Sequence, residues 1–347
     1  MRRRAGRVLA LLCGLHGALG AQELTRTGSD PALGLRLPPA DAFAEGIAAL
    51  ASPVRSDTAR VARGGGTDGA EGTPHWCAGG VRGRRTAQTA VAATFVGGNL
   101  ALYEYFRRAW WSGEGAPFRV IYDWDGHFRD QDKLGHLLGG YLLSEGGREL
   151  LQAACMSEKR ATLWAVAYAA AFQLQIEIWD GKQAKYGFSP PDLLFNTMGQ
   201  ALSLSHAYVP AMRAVMPTFS YSGTQALRNV RAGLIPGDLR PTVDYSGQTY
   251  WLSVDVDTLL PRAARRAWPS LLRLSIGHSI TDWVDPSTGA FIRAQRRILV
   301  TLDIDPLKLP GQAAWWVTVK KGLRHYHFPS PALEFRNGGV RGVAWHR

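Results

Sequence analysis

Leu163-Trp164-Ala165-Val166-Ala167-Tyr168-Ala169-Ala170-Ala171-Phe172-Gln173-Leu174-Gln175-Ile176-Glu177-Ile178-Trp179-Asp180 is the stretch on which the fold turns. It holds no proline or glycine, and its alanines and aromatics predict a helix from Lys159 to about Gly181. Apolar residues cover much of its circumference, which implies burial in a large core or contact with lipid. Yet Gln173, Gln175 and Glu177 interrupt the run, and an unpaired carboxylate in such surroundings is costly. This helix therefore needs neighbours that bring polar groups to meet its own.

Three further helices are expected around it. Thr86 to Trp111 is long, apolar and free of proline, and it ends in the aromatic, basic run Tyr103-Glu104-Tyr105-Phe106-Arg107-Arg108-Ala109-Trp110-Trp111. Asp130 to Ala154 carries leucines at 134, 137, 138, 142 and 143. Pro190 to about Val215 opens on Ser189, an N-cap with proline behind it, and Pro210 kinks or splits it. Asn196, Gln200 and His206 interrupt its apolar run. A spanning helix needs about twenty mostly apolar residues. The first and third come close, so a membrane-associated or partly inserted bundle and a soluble periplasmic bundle are both open.

After Thr218 the period changes from helical to alternating. Thr249–Val256, Leu272–Ser279 and Arg297–Ile304 read as strands, with turns at Gly247 and across Asp285–Gly289. Gln312 to Gly322 reads as a short helix. The expected fold is α+β: an apolar bundle of about four helices over residues 84–216, then a small antiparallel β-rich module over 217–347. That module is too short for a complete outer-membrane barrel; it lies against a membrane surface or caps the bundle.

The beginning of the chain has another character. Met1-Arg2-Arg3-Arg4 is basic, Val8 to Leu19 is mostly apolar, and Ala18, Gly20 and Ala21 are small, which is the pattern of a secretory signal over residues 1–21. Leu12 stands before Cys13 where a lipidation site requires a small residue. Residues 22–83 contain Leu37-Pro38-Pro39 and Gly64-Gly65-Gly66 and few large apolar residues, and they read as a poorly ordered tether. The formal net charge of +12 is mostly arginine spread along the chain. A nucleic-acid binder would gather it in one stripe; attraction to anionic envelope lipid or an arginine-rich solvated surface fits better. An oxidising compartment permits a bridge between Cys77 and Cys155. Trp110-Trp111 and Trp315-Trp316 are membrane-interface anchors or core aromatics, and His325-Tyr326-His327 has the spacing of a metal pair or of a polar strand edge.

Candidate site residues sit on three of the helices. Asp132 and His136 are four apart and share a face, with Lys133 beside Asp132. Glu177 and Asp180 are three apart. Ser189 precedes Asp192, which lies four residues before Asn196. Two readings stand side by side. The acids and the imidazole form a buried hydrogen-bonded and ion-paired network that fixes helix register. Alternatively, Asp132, His136, Glu177, Asp180 and Asp192 hold a divalent metal, whose mixed oxygen and nitrogen donors suit zinc, manganese or iron. Such an ion can activate water for hydrolysis.

The run Asp132-Lys133-x-x-His136, Tyr141, Glu177-x-x-Asp180 and Gly187-Phe188-Ser189-x-x-Asp192-x-x-x-Asn196-x-x-Gly199 resembles the YfiM-like family of predicted periplasmic lipoproteins, a domain of unknown function. More distantly, the same order resembles VanZ-like envelope proteins associated with glycopeptide resistance. Asp244–Ser253 and Leu302–Asp305 extend the resemblance over roughly residues 85 to 335. It implies an envelope location and a helical core, and no established activity. The expected role is structural or binding, in the periplasm or at the outer membrane, with a membrane surface or envelope lipid as partner. A metal-dependent envelope hydrolase acting on lipid or cell-wall material, and a membrane-embedded binder of an amphiphile, are the alternatives.

Overall fold

A computed structural model describes Cys77 and residues Gly80–His346. The expected signal sequence, and the tether up to residue 79 save Cys77, lie outside the described residues.

Four long helices come first: α1 Gly80–Ala109, α2 Gln131–Ala153, α3 Glu158–Asp180 and α4 Pro190–Tyr208. Ser189 caps α4: its hydroxyl accepts from the Asp192 amide, and prolines follow in the first turn. The helix does not run on to Val215. It stops at Tyr208, Pro210 opens a 3-10 turn to Ala214, and Val215 begins a strand. Among the described residues no helix is long and apolar enough to cross a membrane. On α3, one of the two helices that came close to spanning length, the buried Gln173 and Glu177 interrupt the apolar run.

Small residues bring these helices together. On α3, Ala161, Ala165 and Ala169 are fully buried. A Cβ on Gly147 of α2 would sit 3.0 Å from the Ala165 Cβ. The α2–α4 crossing is closer still. A Cβ on Gly199 would lie 2.0 Å from the Leu137 carbonyl oxygen, and one on Gly140 would lie 2.5 Å from that of Asn196. Backbone meets backbone here, so the side chains beside the crossing point into one shared interior. Helix α1 joins through aromatic rings, Phe95 against Tyr168 and Phe106 against Phe172. A disulfide links Cys77 to Cys155, with Cα atoms 5.6 Å apart.

The second half is a six-stranded antiparallel meander: β1 Val215–Tyr221, β2 Gln248–Val254, β3 Leu272–Ile280, β4 Arg296–Ile304, β5 Ser330–Arg336 and β6 Gly339–His346. Short helices α5 Gln225–Arg231 and α6 Ala314–Leu323 lie in the connections. The α+β arrangement is therefore helices followed by one antiparallel sheet. Register places Leu252 opposite Ile276, Ile276 opposite Val300 and Val300 opposite Leu333. The sheet curls, since His346 of β6 reaches Thr249 of β2 at 3.1 Å and meets the Trp251 ring. Its enclosed face carries Thr218, Ser253, Ser275 and an Arg273–Asp303 ion pair, all buried, with a small apolar cluster of Trp251, Leu299 and Ala332. Bundle and sheet meet where His278 bonds Gln131 and where Arg296 bridges Asp125 and Asp130.

Candidate functional site

The site lies where α2, α3 and α4 face one another, below the loop that precedes α2. Lys133 of α2 is wholly buried. Its ammonium contacts three carboxylates: Asp123 of the loop at 2.6 Å, Asp192 of α4 at 2.8 Å and neighbouring Asp132 at 2.9 Å. One helical turn on, His136 stands between acids. Its Nδ1 lies 3.6 Å from Glu177 Oε1, and its Nε2 lies 3.7 Å from Asp192 Oδ2. Asn196 Oδ1 is 3.1 Å from the same Nδ1. The Gln173 amide donates to Asn196, and Gln200 donates to Gln173 at 2.8 Å, so an amide chain along α3 and α4 holds Asn196 in place.

Ser189 joins the two ends. While capping α4 it donates to Asp123 at 2.7 Å, and its amide donates to Glu177 Oε2 at 3.3 Å. The remaining oxygen, Glu177 Oε1, and Asp132 Oδ1 are buried and accept no hydrogen bond. Atoms from His136, Glu177 and Asp192 lie within 4.8 Å of one another, and so do atoms from Asp123, Asp132 and Asp192. Asp180 is in neither group. It accepts from the Trp111 indole at 2.6 Å, and Trp111 stacks on Trp179. Trp111 is thus a core aromatic, whereas Trp315 is exposed.

Charge balance sets the protonation of the cluster. Asp123, Asp132, Glu177, Asp180 and Asp192 outnumber the two basic side chains, Lys133 and His136. Burial raises Glu177 to about 7, only partly offset by His136. Burial also raises Asp132 to about 6 against the pull of Lys133, and Asp180 to about 6 against its bond from Trp111. For His136, burial disfavours the cation, but Asp192, Glu177 and Asp132 outweigh it and raise the imidazole. Lys133 is likewise raised, its burial overcome by Asp132 and Asp192. Ion-free, the cluster is short of positive charge and takes up protons in its place.

Seven of the eight residues singled out in the sequence meet here, and Asp180 lies at their margin. Asp123 was not among them. It sits in Phe118-Arg119-Val120-Ile121-Tyr122-Asp123-Trp124, where Ile121 and Asp123 are half-buried and Val120, Tyr122 and Trp124 are exposed. That period of two, with an acid on the inward side, was the available signal.

Against this geometry the known proteins can be set. Residues 125–207 match the family described as predicted periplasmic lipoprotein (DUF2279). The matched segment holds α2, α3 and α4 with every site residue except Asp123. It is narrower than residues 85 to 335, and it does not extend to the VanZ-like likeness. No curated protein and no solved structure matches the chain. An exported location, periplasmic or associated with the outer membrane, agrees with this periplasmic lipoprotein family and with the Cys77–Cys155 bridge.

Proposed function

We propose that this envelope protein binds a divalent cation inside its helical bundle, with His136, Glu177 and Asp192 as ligands. One observation carries the reading: three helices each aim one ligand-type atom into a common space, and the buried Glu177 Oε1 has nothing to bond there. Two donors about 2.1 Å from a tetrahedral ion stand roughly 3.4 Å apart. The 3.7 Å between His136 Nε2 and Asp192 is close to that span, and one ligand atom from each of His136, Glu177 and Asp192 lies within 4.8 Å of the others. Asn196 orients the imidazole through Nδ1 and leaves Nε2 toward Asp192, the arrangement by which a neighbouring amide sets a ligand's tautomer. Lys133 neutralises the adjoining acids, so the ion meets a mixed nitrogen and oxygen set of the kind that suits zinc, manganese or iron(II).

Hydrolysis of lipid or cell-wall material is the second reading. It is favoured by the 27% exposure of the His136 side chain, which leaves a route for water and substrate. The test comes first at the level of binding. The full chain is stripped with chelator and titrated calorimetrically with Mn²⁺ and Zn²⁺. One ion per chain is expected, together with a rise in melting temperature, and both are lost in His136→Ala and Asp192→Asn. A stripped protein that binds neither ion and melts unchanged overturns the proposal and leaves a purely structural network centred on Lys133.

A further inference from the structure

The six-stranded sheet wears its side chains inside out, and we infer that its outward face seats in the hydrocarbon of an anionic bilayer. The inference is independent of the cation site. A sheet with one face in water places polar residues outward and apolar residues on the core. Here the order is reversed. The row Leu252, Ile276, Val300 and Leu333 crosses four strands in register, and Leu274 and Leu302 pair beside it. Ile276 is 52% exposed, Leu333 51% and Val340 61%. Behind them the same strands enclose hydroxyls and charges. Thr218 bonds Ser253 at 2.8 Å, Ser253 bonds Ser275 at 2.8 Å, and Arg273 pairs with Asp303. Apolar-out and polar-in alternation is the pattern of sheets that face lipid. So broad an apolar surface marks an interaction site.

Charge selects the occupant. Residues 217–347 as a whole carry 17 basic against 9 acidic residues, a net +8. A second copy docked through the sheet would bring two modules of net +8 together. Phosphates of anionic headgroups complement this charge while the acyl chains take the apolar rows.

The test places an environment-sensitive fluorophore on Leu333→Cys, and separately on exposed Lys182→Cys, in the full chain carrying Cys13→Ser and an intact Cys77–Cys155 bridge. Vesicles of phosphatidylethanolamine and phosphatidylglycerol are doped with doxyl-labelled lipid. The label at 333 is expected to shift to the blue and to be quenched at least threefold more than the label at 182. Ile276→Glu with Leu302→Glu changes two outward residues, so it is expected to melt as the wild type does and to partition at least tenfold more weakly. Equal quenching at 333 and 182 overturns the inference, as it would if the protein were merely tethered by an attached lipid. A label at 333 that is already in an apolar setting without vesicles also overturns it, since the face is then covered by a second copy or by residues preceding Cys77. A double variant that melts normally and partitions like the wild type does the same.

Discussion

Glu177 carries the sharpest conflict of any single residue. It is almost wholly buried, one oxygen takes the Ser189 amide, and the other takes nothing. Its pKa is raised from 4.5 to about 7, so the native state holds a proton that the unfolded chain gives up at lower pH. The stability this group contributes is therefore full below about pH 4.5 and is lost as pH rises through 7. Asp132 and Asp180, each raised to about 6, act in the same direction. A ligand cation reverses the sign, because it needs the carboxylate. Ion-free Glu177→Gln is thus expected to melt like the wild type at pH 5 and above it at pH 8, by a stability gain of roughly 2–3 kcal/mol. It should also gain nothing from added Mn²⁺, whereas the wild type should gain most at pH 8. Thermal melts of both proteins at the two pH values, with and without the ion, check this; a variant that melts below wild type at pH 8 in chelator would show that the charged carboxylate already has its partner. Helical spacing alone made Asp132 with His136 and Asp192 with Asn196 legible as facing pairs. It assigned Asp180 to the same space as Glu177, because a spacing of three stacks two carboxylates but does not say that an indole waits beside one of them.

Among the elements, the α2–α4 crossing decides whether a site exists at all. Gly199 allows the two backbones to touch, and an added Cβ would meet the Leu137 carbonyl at 2.0 Å and the Tyr141 amide at 2.8 Å. Neither is the end of a flexible side chain. Gly199→Ala must push the helices apart and carry Asp192 and Asn196 away from His136. A loss of about 2–3 kcal/mol is expected from the forced separation, with the chelator-sensitive rise in melting temperature abolished. Unchanged Mn²⁺ binding in a folded Gly199→Ala protein would show that the crossing does not set the ligand spacing. The four helices were legible because their apolar runs are long, and α4 also because Ser189 caps its start and Pro210 follows its end. Three strands were legible by alternation; three were not. In β1, Met216-Pro217 breaks the propensity pattern, and proline is tolerated because β1 is an edge of the sheet order. The β5–β6 hairpin announces itself in Asn337-Gly338, both with positive φ, 50° and 76°. That dipeptide is the strongest local hairpin signal, but the strand residues around it alternate weakly.

Over the whole molecule, buried polar side chains such as Lys133, Glu177, Arg273 and Glu334 share the interior with small apolar groups, while large apolar side chains cover much of the surface. Such an interior gains less from the hydrophobic effect than a core of large aliphatic residues does. Covalent restraint then counts for more. The Cys77–Cys155 bridge closes a loop with a sequence separation of 78 residues, joining the chain just before α1 to the end of α2. Restricting the unfolded chain over a loop of that length is worth about 4–5 kcal/mol in the chain-entropy account. Helix α1 depends on it most, since the described contacts that hold it to the bundle are ring pairs such as Phe95–Tyr168, the Asn99–Tyr168 hydrogen bond and the packing around Trp111. Reduction, or the double change Cys77→Ala with Cys155→Ala, is expected to lower the melting temperature by about 5–10 °C. Amide exchange should rise first in Gly80–Ala109 and leave α2, α3 and α4 protected, because those three are held by the glycine crossing and the polar cluster. Calorimetry with and without reductant reads the first effect, and hydrogen exchange read by mass spectrometry reads the second. Uniform exchange across all four helices after reduction would mean that the bridge restrains the bundle as one unit and that α1 has no separate dependence on it.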